Sequence, residues 1–393
     1  MNEVVAVSAV RTAIGTFGGT LKDYPAPDLM ALVTKEATDR AGIEDPSIIG
    51  DVIVGQCMQR TDEVPTGRLA ALKAGFPITV PGVTIQRNCA SAMQSLVYGA
   101  QQVMLGDMDA VVVGGVEVMS RVPYTMDKAR WGARLQHAKM ADGIWDGLTD
   151  AWSGLIMGLT AENLAEKYDI SREEQDEVAL RSHNSAEAAT NDGKFTEEIL
   201  PVEIPQRKKD PIVFDKDEHF RPGLTMEQLA RLKPTFKKDG TVTPGNASGI
   251  NDGAAAMVLM SKEKAAELGA KPIARLVGHG LGAVEPELMG YGPVPATKQA
   301  LERTGLKLAD IELIELNEAF AAQYLACEKL LDLNRDITNV NGSGIALGHP
   351  VGCTGVRIIV SLLHEMKRRG NTLGLASLCV GGGMGQTTIW EML

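Results

Sequence analysis

The stretches LGDMDAVVVGGVE (105–117) and RGNTLGLASLCVGGG (369–383) share one plan. A glycine that stops a helix leads into a short apolar run, and the run ends in further glycines. A second pair repeats the match: AGIEDPSIIGDVIVG (41–55) and TGLKLADIELIELN (304–317). The offsets between paired glycines are 263 residues for Gly42 and Gly305 and 264 for Gly106 and Gly370. Any two β-α-β units look broadly alike, but that does not account for collinear matches at one offset. The pattern predicts two duplicated α/β halves, roughly 1–120 and 270–393.

The local signals agree. Residues 109–113 (DAVVV) and 311–316 (IELIEL) read as buried strands, and 92–105 as an amphipathic helix. Its apolar face carries Ala92, Met93, Leu96, Val97, Ala100, Val103 and Met104, and Gly106 ends it. Between the halves the texture changes. Residues 121–250 hold three of the four Trp, and Ser171-Arg-Glu-Glu174 reads as a capping box opening a polar helix towards Gly193. The stretch 201–223 is loop-like. This region reads as a lid inserted into the first half, with 251–270 returning to that half before the second begins at 271.

Composition narrows the function. A net charge of −11 over 393 residues excludes a nucleic-acid binder, though not a site for a small anion. No apolar run reaches the ~18 residues a membrane span needs. The opening MNEVVAVSAVRTAIG differs from a signal peptide. Five scattered cysteines without a Cys-x-x-Cys pair suit reduced thiols, hence a cytoplasmic setting, and no His or Cys spacing suggests a metal site.

Four positions suggest chemistry. In TIQRNCASAMQS a strand at 83–86 runs into a turn, and the helix is expected to begin at about Cys89. A thiol there would be drawn towards thiolate by unpaired amides, and its own N–H could face an oxyanion. In NGSGIALGHPVGCTG, glycines crowd His349, and Pro350 suggests another helix start. Asn317-Glu318 follow the strand IELIEL, at the strand end where α/β sheets bind ligands, although Asn also caps helices. Cys379 ends the strand 375–378, and Gly381–383 behind it allow amides to turn towards a carbonyl oxygen. Each position alone has a plain alternative: a packed thiol, a buried imidazole, a cap, a turn.

Together these blocks resemble the thiolase family over essentially the whole chain. VRTAIGTFGG (10–19), GGVEVMS (114–120), GNASGINDGAA (245–255) and the terminal GGGMGQ occur in the family's order. The resemblance implies an α/β thiolase fold: two βαβαβαββ halves in a five-layered α/β/α/β/α core with an inserted loop domain. It implies that Cys89 becomes acylated, that His349 activates it, and that His349 with a water on Asn317 forms one oxyanion hole. Cys379 would be the acid/base, and the amides of Cys89 and Gly381 the second hole. No bound cofactor is implied; the partners are the thioesters acetyl-CoA and acetoacetyl-CoA, and CoA itself. For CoA, Ser248 resembles a pantetheine contact, Arg221 a contact near the adenine and phosphates, and Phe236 an apolar wall. Met289 resembles a methionine lining the acyl pocket, and Met157, Ala319 and Phe320 further substrate or CoA contacts. Arg207, Lys208 and Lys209 either help attract the polyanion or form a solvated loop. Many short-chain members carry His-Met-Gly where this chain has Ile156-Met157-Gly158, a departure that bears on chain length. The family is commonly a homotetramer, with 121–152 as the assembly loop.

The resemblance implies an acetyl-CoA C-acetyltransferase that makes or cleaves acetoacetyl-CoA by a ping-pong route through acetyl-Cys89. The rival within the class is a 3-ketoacyl-CoA thiolase for longer chains. A non-catalytic acyl-CoA or lipid carrier on the same fold is a third reading, against which Cys89, His349 and Cys379 all stand. A regulatory Cys89–Cys379 disulfide is a side possibility. Cys57, Cys327 and Cys353 read as packed thiols, with Cys353 the best placed of the three to line the site. His137, His183, His219, His279 and His364 read as partnerless residues of charged or loop segments.

Overall fold

A computed structural model describes all 393 residues. The strands of its main sheet are β1 (Val4–Thr12), β2 (Ile49–Gly55), β3 (Gly82–Ile85), β4 (Ala110–Val118) and β5 (Asn251–Ser261), then β6 (Ala274–Ala283), β7 (Leu313–Leu316), β8 (Leu373–Val380) and β9 (Met384–Met392). Their order is β7-β8-β9-β6-β1-β5-β4-β2-β3, with two two-residue strands attached at the side. From the junction outwards, β1-β5-β4-β2 in the first half mirrors β6-β9-β8-β7 in the second. β2 and β4 pair in parallel, as do β7 and β8, while β5 and β9 run antiparallel to their neighbours. The halves meet edge to edge only at Val5–Arg275 and Ala6–Ala274.

The central strands are apolar along their length because both faces are covered. In β4 every residue is buried. Val112 and Val116 pack with Leu29, Met30 and Val33 of α1 (Ala26–Arg40), whereas Val111 and Val113 face the opposite way. That second face meets Met93, Leu96 and Val97 of α2 (Ser91–Leu105). Successive side chains on a strand point to opposite faces, so a continuous apolar run is what a doubly covered strand needs.

Three further helices matter for the site: α3 (Met157–Lys167), α4 (Arg172–Asn191) and α5 (Thr354–Arg369). Ile358, Ile359 and Leu362 of α5 join the α2 cluster, together with Leu378 and Trp390 from the second half's sheet. The two helices therefore form a shared middle layer between two sheet halves, each covered by helices on its outer side. At their closest approach a Cβ on Gly355 would overlap the backbone of Met93, so only glycine lets the helices meet there. The layers run α/β/α/β/α, as the resemblance implied. Helix starts differ from expectation: α2 begins at Ser91, and α5 at Thr354 rather than near Pro350. In both cases a hydrogen-bonded turn precedes the helix, with Ser91 N–H on Asn88 O and Thr354 N–H on Pro350 O.

The chain leaves β4, builds the segment 121–250 and returns as β5, which lies between β4 and β1. Although it departs from the first half, its helices also pack on the second, while Ala186 and Ala189 at the far end of α4 stay with the first half's core. Ala161, Leu164, Val178 and Ala179 of α3 and α4 share a cluster with Ile314, Leu316 and Leu375. The expected capping box is present: the Ser171 hydroxyl accepts the Glu174 N–H, and Glu174 accepts the Ser171 N–H at 2.7 Å. No helix is long and apolar enough to cross a membrane.

Candidate active site

Cys89 sits in the turn between β3 and α2, held by Ala90 N–H on Arg87 O and Ser91 N–H on Asn88 O. Asn88 adopts a left-handed φ of 43° and donates from Nδ2 to the carbonyl of Gly381 at 2.9 Å, tying this turn to the glycines behind Cys379. The backbone amides of Gly381 and of Cys89 itself lie near the Cys89 sulfur and favour its thiolate. Their pull does not prevail: burial is the larger effect and pushes the thiol up to about 11, with Glu117 adding to the rise. The expected helix-terminus drift towards thiolate is therefore corrected. Cys89 precedes the helix by two residues, and desolvation outweighs two amides.

His349 is buried, and its N–H donates to Asn251 Oδ1 at 3.0 Å. Its Nδ1 lies 2.6 Å from Thr354 Oγ1, which also lies 3.0 Å from the Pro350 carbonyl. A carbonyl only accepts, so the hydroxyl gives its proton to Pro350 and receives one from Nδ1. Nε2 then carries the lone pair. Burial and the charge of Arg357 push this imidazole down to about 3, so it is a neutral base near pH 7. Val351 and Ile250, which flank His349 and Asn251 in the chain, contact the same small apolar cluster as Cys89.

Cys379 is buried near the end of β8, and its thiol is raised well above its ordinary value by burial first and then by its neighbour Cys89. The amide of Asn317 donates to Ser377 O at 2.9 Å, which places Asn317 beside this strand end. It caps no helix; Phe320 occupies that position. Both polar atoms of the Asn317 side chain are buried without a protein partner. A buried amide left so would cost about 1–3 kcal/mol for each group, so its chemistry suits a bound water or substrate oxygen.

The proposed CoA and acyl contacts gather beside this corner. Ser248 donates its amide to Ala319 O at 2.9 Å, and Ala247 bridges to Phe320. Phe236 meets Phe320 edge to face at 6.4 Å. Met157, Met289, Ala319 and Phe320 share one apolar cluster with Cys379. Arg221 stands on an exposed turn, and Arg207, Lys208 and Lys209 on the exposed end of a hairpin. No group of His, Cys, Asp or Glu has metal-binding geometry.

Several structural residues of this site went unassigned in the sequence, although their motifs were in view. Glu117 accepts the amides of Cys57 at 2.9 Å, Met58 at 3.1 Å and Gly352 at 2.8 Å, fastening loops on both sides of the site. Asn88, Asn251 and Thr354 position Cys89 and His349, as described. Two expectations need correction. Cys353 is sealed within the α2–α5 layer, whereas half-exposed Cys57 lies 3.7 Å from Asn88 Oδ1 and is the thiol that borders the site. His183 and His364 are not partnerless: the Arg221 N–H donates to His183 Nδ1 at 3.1 Å, and His364 Nε2 lies 3.2 Å from the Ala9 carbonyl.

Comparison with known proteins agrees with this geometry. Residues 4–263 match the family model of the thiolase N-terminal domain, and residues 270–392 that of the thiolase C-terminal domain. An acetyl-CoA acetyltransferase of Chromobacterium violaceum is 50% identical over 384 residues, 98% of either chain. Beta-ketothiolase BktB of Cupriavidus necator is 49% identical, spanning 100% of this chain and 99% of that protein. The crystal structure of the Bacillus anthracis acetyl-CoA acetyltransferase superposes with a TM-score of 0.98 at 55% identity, covering 100% of this chain and 99% of that one. With two matched domains and relatives this similar along its length, the chain belongs to the thiolase family of acyltransferases.

Proposed function

We propose that this protein is an acetyl-CoA C-acetyltransferase that condenses two acetyl-CoA to acetoacetyl-CoA and CoA, and catalyses the reverse thiolysis. The observation that carries the reading is that Asn88 ties the Cys89 turn to Gly381 at 2.9 Å, which brings the backbone amides of both residues close enough to the Cys89 sulfur to favour its thiolate. Donors held there are placed for the oxygen of an acyl group borne by that sulfur, which is where negative charge develops during acyl transfer. His349 Nε2 takes the Cys89 proton as sulfur attacks the thioester carbonyl. The carbon–sulfur bond to CoA breaks, and the departing thiolate receives the Cys379 proton, leaving acetyl-Cys89, a Cys379 thiolate and a His349 that keeps the Cys89 proton on Nε2. Cys379, as thiolate, then removes a proton from the methyl group of a second acetyl-CoA. Asn317, through a water, and His349 stabilise the resulting enolate. The enolate carbon attacks acetyl-Cys89, a carbon–carbon bond forms, and the Cys89 thiolate leaves.

A raised Cys89 value supports this division, since a resting thiol needs the neutral imidazole that His349 provides. The mass of the intact protein after mixing with acetyl-CoA tests it. Wild type should gain one acetyl group and Cys89→Ala none, whereas Cys379→Ala should acylate slowly yet fail to condense. Equal loss of both steps in both variants would overturn the assignment. Preference for C4 over longer 3-oxoacyl chains is part of the proposal, supported by the names of the relatives; thiolysis across chain lengths decides it. A homotetramer is supported by the exposed side chains of Trp131 and Leu135 on segment 121–152, and light scattering reads the mass. Five free cysteines support a cytoplasmic setting.

A further inference from the structure

The turn bearing Arg221 has no regular structure of its own, yet its backbone is held at two points by one helix. Arg221 N–H donates to His183 Nδ1 at 3.1 Å, and Gly223 N–H donates to Glu187 Oε2 at 2.9 Å. His183 and Glu187 lie four residues apart on α4, so they occupy one face and are spaced to receive two amides of one turn. Because Nδ1 accepts, the ring is neutral with its proton on Nε2. His183 is buried, and both His219 and the Arg221 charge oppose its protonation. The other side of the turn is fixed as well. Asp217 pairs with Arg11 at 2.8 Å, and Glu218 accepts the Thr16 N–H at 2.9 Å. His219 packs over Gly249, beside Ser248, where a Cβ would lie 2.8 Å from the ring Nε2. Five anchors between Asp217 and Gly223 thus set where the exposed Arg221 side chain stands relative to Ser248.

We propose that His183 and Glu187 are positioning residues for recognition of the nucleotide end of CoA, acting through the backbone of the Arg221 turn and not on the reacting groups. This rests on the reading of Arg221 as a CoA contact. An ordered turn spends less conformational entropy when it closes on a ligand, so loosening it weakens binding without touching chemistry.

The test compares acetoacetyl-CoA thiolysis by CoA with thiolysis of acetoacetyl-pantetheine by pantetheine, which lacks the nucleotide. His183→Leu and Glu187→Ala should raise KM for CoA by about threefold to tenfold each, the worth of one hydrogen bond, with kcat unchanged. Both should leave kcat/KM for the pantetheine pair as in wild type. His183→Asn, which keeps an acceptor near Nδ1, should restore most of the loss. Glu187 is half-buried at the surface, so its variant folds even if the His183 pocket tolerates leucine poorly. Arg221→Gln separates the two ideas. If it raises KM for CoA while His183→Leu and Glu187→Ala do not, the positioning role is overturned alone. If all three leave KM for CoA unchanged, the role falls together with the reading of Arg221. Equal losses on the CoA and pantetheine substrates mean a structural role only, and also overturn it.

Discussion

Replacing Thr354 with valine should slow acylation of Cys89 although Thr354 touches no substrate. The side chain is fully buried, and valine has nearly the same shape, so the change falls on the hydroxyl that is lost. What disappears is the acceptor for His349 Nδ1 at 2.6 Å. The Pro350 carbonyl is not left bare, because the amides of Cys353 and Thr354 still donate to it at 2.9 and 3.0 Å. The whole loss falls on the imidazole. A buried N–H without a partner costs about 1–3 kcal/mol, and the ring avoids that cost by moving its proton to Nε2. The lone pair then faces the wrong way. Population of the competent tautomer, and with it the acylation rate, should fall about fivefold to 150-fold. Rapid mixing with acetyl-CoA followed by intact-mass measurement of acetyl-enzyme reads this step alone. Thr354→Ser keeps the hydroxyl and should acylate near the wild-type rate. Wild-type acylation by Thr354→Val, or an equal loss in Thr354→Ser, would refute the tautomer argument.

Other expectations follow from the same geometry. Gly381 has an ordinary φ, and a Cβ there would meet only Asn88 Nδ2 and Met157 Sδ, each at 3.4 Å. Gly381→Ala should therefore keep its amide in place and most of its activity. Gly383 has φ +76°, and its Cβ would overlap the Val284 carbonyl and lie 2.8 Å from Pro286 N, so Gly383→Ala should lower the thermal midpoint and abolish turnover. His183 is held near 4 by burial and by its cationic neighbours, against an ordinary value of 6.5. The unfolded chain takes up that proton first, so stability is lost as pH falls from about 6.5 to about 4, at about 1.4 kcal/mol per pH unit. Urea midpoints for His183→Asn should thus decline less steeply than wild type over that window; parallel slopes would contradict a buried neutral ring.

How far the site could be read in advance depended on the range of its interactions. Cys89, His349, Asn317 and Cys379 stood out because each follows a strand or precedes a helix in a glycine-rich context, a signal contained in a dozen residues. The residues that hold them did not, because their partners are remote in sequence. Asn251 serves His349 across 98 residues, Asn88 serves Gly381 across 293, and Glu117 reaches Gly352 across 235. The helix-dipole argument for Cys89 failed for a different reason. It weighed a local field correctly, but desolvation is set by what the whole fold packs around the sulfur, which no window of sequence contains.

The duplication explains why one thiol of each kind is enough. By the 264-residue offset, the counterpart of Cys89 in the second half is Cys353, and the counterpart of Cys379 in the first half is Gly115. Cys353 is sealed in the middle helix layer, where burial pushes it up to about 12. At Gly115 a Cβ would lie 2.5 Å from both the Ala92 Cβ and the Gly352 carbonyl, so no thiol fits where symmetry would place one. The His349 loop fills that space. On the proposed roles, a symmetric pair of half-sites is thereby converted into one site: one half opens its turn cysteine, and the other supplies the strand-end cysteine and the base. Cys353→Ala should therefore leave the rate and extent of acetyl-enzyme formation at wild-type levels, with at most a small fall in thermal midpoint from a buried sulfur lost. If acylation of Cys353→Ala falls as far as that of Cys89→Ala, the second half's turn cysteine is not silent, and the asymmetry argued from Gly115 is wrong.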